Sequence, residues 1–173
     1  MLFWLVTLLA ILVILSPALM LRPSRRDQRL GTLRQHARSA GIGVKFAKPP
    51  LHDAPGGLVS YRWAYPQTNP GPVFLLVHNT YASEVLKPFG EEWRWRIEPL
   101  RPISEAAHTA LTSALESLPQ DALVLESERS ALTLWWGESL DVTQFKAVEH
   151  KMAAARDALA TTLRMNNTPG SPH

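Results

Sequence analysis

Cysteine is missing from the chain altogether, and charged side chains are missing from its first 21 residues. The first absence excludes disulfides, thiolate-ligated zinc and a cysteine nucleophile. It leaves the compartment open, since proteins on either side of a membrane can lack cysteine. The second absence is local: MLFWLVTLLAILVILSPALML holds no Asp, Glu, Lys, Arg, His, Asn or Gln. Also missing are a glycine-rich phosphate loop, a ligand pair at zinc spacing and a recognisable carboxylate dyad. No cofactor and no metal site is therefore expected, and the chemistry of an enzyme is not expected either.

What is present is unevenly placed. The 173 residues suit one small domain with linkers, and an apolar fraction of 46% is compatible with a folded core. The net charge of +3 hides an asymmetry. Residues 22–48 carry eight basic side chains against Asp27 alone, whereas residues 49–173 carry ten basic and fourteen acidic ones. The basic character thus belongs to one segment and to whatever that segment meets.

As a helix, the uncharged stretch would extend about 32 Å, enough for a bilayer core of about 30 Å. Residues 1–22 are accordingly expected to form a transmembrane helix, with Trp4 near an interface. A cleaved signal peptide and a buried core helix are the alternatives. Against the first, no basic side chain precedes the run, and four arginines (Arg22, Arg25, Arg26 and Arg29) follow it directly. Positive charge on the C-terminal flank places the following domain in the cytoplasm and the N-terminus outside. Residues 23–41 read as a basic juxtamembrane helix, with Leu30, Leu33 and Ala37 at helical spacing and Gly41 or Gly43 to close it. Arg22, Arg25, Arg26, Arg29, Arg34 and Arg38 are expected to meet anionic lipid headgroups. RNA or an acidic protein is the competing contact for this helix, and nucleic acid is not the expected partner.

Residues 42–57 read as a linker, because AKPPLHDAPGG is rich in proline and glycine. Residues 58–165 read as the domain proper. Val59, Tyr61, Trp63 and Tyr65 alternate with polar or small residues, VFLLVHN (73–79) reads as a central strand, and EEWRWRIEP places Trp93, Trp95 and Ile97 on one face and Arg94, Arg96 and Glu98 on the other. A helical stripe runs from Ile103 to Leu118 between Pro102 and Pro119. ALVLESERSALTLWW reads as a hairpin. Val142, Phe145, Val148, Met152, Ala155, Leu159 and Leu163 then mark a long helix capped by Asp141 and Gln144. The fold class is α+β: a mostly antiparallel sheet with two amphipathic helices on one face. The domain is expected to supply its own core from about residue 40, and 166–173 to be a disordered tail.

Two features could carry function. GESLD (137–141) follows a strand and precedes a helix, as a nucleophile elbow does, but Asp141 stands where the second glycine belongs. A helix entry, with Gly137 ending the strand and Ser139 or Asp141 as cap, is the preferred reading; a membrane-tethered hydrolase using Ser139, with His78 as base, is the alternative. Trp135 and Trp136 are adjacent in a strand and so point to opposite faces. One indole should then be less buried, either under a loop and the stems of Arg94 and Arg96 or open to a partner. Arg94, Arg96, Trp135 and Trp136 are therefore the candidate protein-binding residues.

An apolar N-terminal stretch followed by LRPSRRDQR resembles the opening of the small bacterial preprotein translocase accessory subunit family, YajC. The resemblance covers about residues 1–38. It implies a bacterial inner-membrane, non-catalytic interaction module that accompanies another membrane protein, and it transfers no binding residues. The G-D-x-V-x-T-x-G-G segment of that family is replaced here by GIGVKFAKPPLHDAPGG.

Overall fold

The computed structural model describes residues 3–7, 11, 24–52 and 55–166, with side chains to Thr161. Helix α1 (Arg25–Ser39) begins in a capping box: the Asp27 amide donates to Ser24 Oγ, and the Ser24 amide donates to the Asp27 carboxylate. It ends where Gly41 turns left-handed at φ 80°. The Gly41 amide bonds the Arg38 carbonyl and the Ile42 amide reaches back to Ala37, closing a Schellman motif. Seven strands follow, interrupted by one helix: β1 (Gly43–Lys45), β2 (Val59–Ala64), β3 (Phe74–His78), β4 (Pro88–Phe89), β5 (Trp93–Ile97), α2 (Glu105–Glu116), β6 (Ala122–Ser127) and β7 (Ala131–Trp136). Helix α3 (Val142–Asn166) ends the described chain. Its cap is the expected one, since Gln144 N–H donates to Asp141 Oδ1 and Asp141 N–H donates to Gln144 Oε1.

The strands form one sheet in the order β1-β2-β7-β6-β3-β5-β4, and every neighbouring pair is antiparallel. Two strand-strand-helix halves, β3–β5–α2 and β6–β7–α3, meet where β3 pairs β6, with Phe74 opposite Ser127 and Val77 opposite Val124. One sheet face carries the main core. Tyr61, Trp63, Phe74, Leu76, Trp95, Leu125, Leu134 and Trp136 pack there against Leu33 and Ala37 of α1, Leu111 of α2 and Phe145 and Met152 of α3. The other face carries a smaller cluster of Leu75, Val77, Leu123, Val124 and Trp135, with Leu51, Leu58 and Ala82 laid against it.

The α+β class and the antiparallel sheet are as expected, but the membrane helix is a correction. Among the described residues no helix is long and apolar enough to cross a membrane. At the N-terminus the described helical residues are Phe3–Thr7 and Ile11. The other positions of 1–22, among them Arg22, lie outside the described residues, as do 53–54 and the tail from 167.

Three further differences matter. Three helices rather than two cover the core face, because Leu33 and Ala37 bury α1 against the domain instead of leaving it solvated. The expected linker contributes strand β1 and a covering segment. A bulge between Leu75 and Leu76 in the β3–β5 pairing sets Ile97 opposite Leu75, whereas Trp95 pairs Leu76. Ile97 therefore leaves the face of Trp93 and Trp95 and is half-exposed, because one extra residue breaks the period of two.

Candidate functional site

The GESLD corner is built as a clamp. A Cβ at Gly137 would meet Asp121 Oδ2 at 2.7 Å, so a larger residue there would push the Asp121 carboxylate aside. Glu138 follows at φ 61°, the one non-glycine left-handed residue among those described. This turn drives its carboxylate inward, where the residue is buried. Arg34 Nε donates to Glu138 Oε1 at 2.8 Å, Arg34 Nη2 bonds Oε2, and Tyr61 Oη donates to Oε1 at 2.8 Å. Burial first, and then the Glu138 charge, hold the Tyr61 phenol protonated far above its ordinary range. Arg29 adds two bonds to the corner, to the carbonyls of Ser139 at 2.7 Å and Glu138 at 3.2 Å. The guanidinium of Arg34 also lies 4.7 Å from the ring centre of Phe46.

Ser139 itself is tied to Asp121. Its amide and its Oγ both donate to the Asp121 carboxylate, at 3.0 and 2.8 Å. His78 Nδ1 is engaged with Thr80 at the end of β3. The structure thus brings neither to the other. Among the described residues no group of three His, Asp or Glu side chains converges as a metal site requires.

The arginines expected at a lipid surface divide into two sets. Arg29 and Arg34 are spent on the corner, Arg22 lies outside the described residues, and Arg25, Arg26 and Arg38 are exposed. Of the two alternatives for the tandem tryptophans, the covered one holds. Trp136 is buried in the main core, stacked on Phe145 with ring centres 5.6 Å apart, and Tyr61 meets both rings edge-on. Trp135 is buried on the opposite face, in the cluster that Leu51, Leu58 and Ala82 pack against. Arg94 is half-buried, donating to the carbonyls of Glu84 and Leu86, and Arg96 is exposed.

In-register pairing strings the second face into rows. One runs Arg94, Val77, Val124, Trp135, Ser60 and Lys45 from β5 to β1. The next runs Ile97, Leu75, Glu126, Thr133 and Arg62. Glu126 is half-buried there, and desolvation followed by the Glu128 charge raises its pKa, with Arg62 opposing. Sequence reasoning missed Glu138, Leu51 and Leu58. The only signal for the leucines was apolar side chains isolated in a proline- and glycine-rich stretch. No protein-family model, no curated protein and no solved structure matches the chain.

Proposed function

We propose that the chain is a non-catalytic interaction module that docks onto another protein through its N-terminal apolar segment. The observation that carries this reading is exposure: Phe3, Trp4, Leu5 and Val6 are 80, 78, 65 and 60% exposed. Four consecutive large apolar side chains in water mark a contact surface rather than scattered surface hydrophobes. Arg25, Arg26 and Arg38 stand on the helix that follows and are free to meet acidic groups, lipid headgroups included, around the partner's apolar site. The resemblance of residues 1–38 to the translocase accessory family makes subunits of such an assembly the first partners to examine.

Sizing of native extracts tests the reading. The full chain is expected in an assembly well above its own mass. A variant with Phe3, Trp4, Leu5 and Val6 replaced by serine is expected at its own mass. A wild-type chain that elutes as a free monomer would overturn the proposal.

A further inference from the structure

No further inference is drawn: the strongest candidate, the cavity of about 260 Å³ between the β4–β5 hairpin and helix α2, lined by Phe89, Trp93 and Thr112 and by Glu91, Glu92 and Glu116, rests on an acidic cluster, and nothing else among the described residues points to what it would bind.

Discussion

Glu138 is strained in its backbone and paired in its side chain, and the second fact explains the first. A left-handed non-glycine residue costs on the order of 1 kcal/mol, and it persists where the surroundings overdetermine it. Here the surroundings are Arg34, Tyr61 and the Arg29 bonds to the corner carbonyls. Removing one member of a buried ion pair costs about 3–5 kcal/mol, because the other is left uncompensated. Arg34→Ala is therefore expected to lower the unfolding free energy by that amount in a denaturant titration. Glu138→Gly relieves the backbone and still destabilises, because it abandons the Arg34 and Tyr61 bonds. Glu126 gives a pH test of opposite character. Its folded pKa is raised, so its stabilisation is fully present below the unfolded value and is lost as pH rises through the folded one. Glu126→Gln should thus be more stable than wild type at neutral pH. The difference should vanish as acidification protonates the wild-type carboxyl. A Gln variant that is less stable at neutral pH would show that Arg62 outweighs burial.

At the scale of elements, α1 behaves as part of the core and not as a basic appendage. Its removal uncovers the sites of Leu33 and Ala37 and leaves Glu138 without Arg34. Leucine burial of about 2–3 kcal/mol plus the stranded carboxylate consumes a large part of a typical 5–15 kcal/mol stability. A chain beginning at Gly41 is therefore expected to lose its near-ultraviolet dichroism, and a chain beginning at Ser24 to keep it. This replaces the expectation that the domain folds from about residue 40. On α3, Phe145→Ala should cost about 3–5 kcal/mol, since the fully buried ring touches both Trp136 and Tyr61. Strong periodicity made α2, α3, β2 and the β6–β7 hairpin legible in the sequence. The α1 stripe of Leu33 and Ala37 was too narrow to show what it packs against. Its partner Glu138 lies 104 residues away from Arg34, and no local pattern records such a pair. The turn of Ile97 to the second face depends on a bulge, which leaves no mark on the alternation of WRWRI.

For the whole molecule, the sequence located apolar and basic segments but not their relation to the sheet. Leu51 looked like a linker residue because composition cannot reveal that a linker lies on a tryptophan. The two tryptophans of β7 were correctly assigned to opposite faces, and both are buried, one among the helices and one in the cluster that Leu51, Leu58 and Ala82 pack against. The function proposed for the protein is contact with another protein at its exposed apolar N-terminal residues. Site-specific photo-crosslinking in cells tests the docking claim most directly, with the reactive group placed at position 4 and, as a control, at the exposed position 161. The account predicts discrete protein adducts from position 4 and none of them from position 161. Adducts of equal yield from both positions, or no protein adduct from position 4, would contradict it.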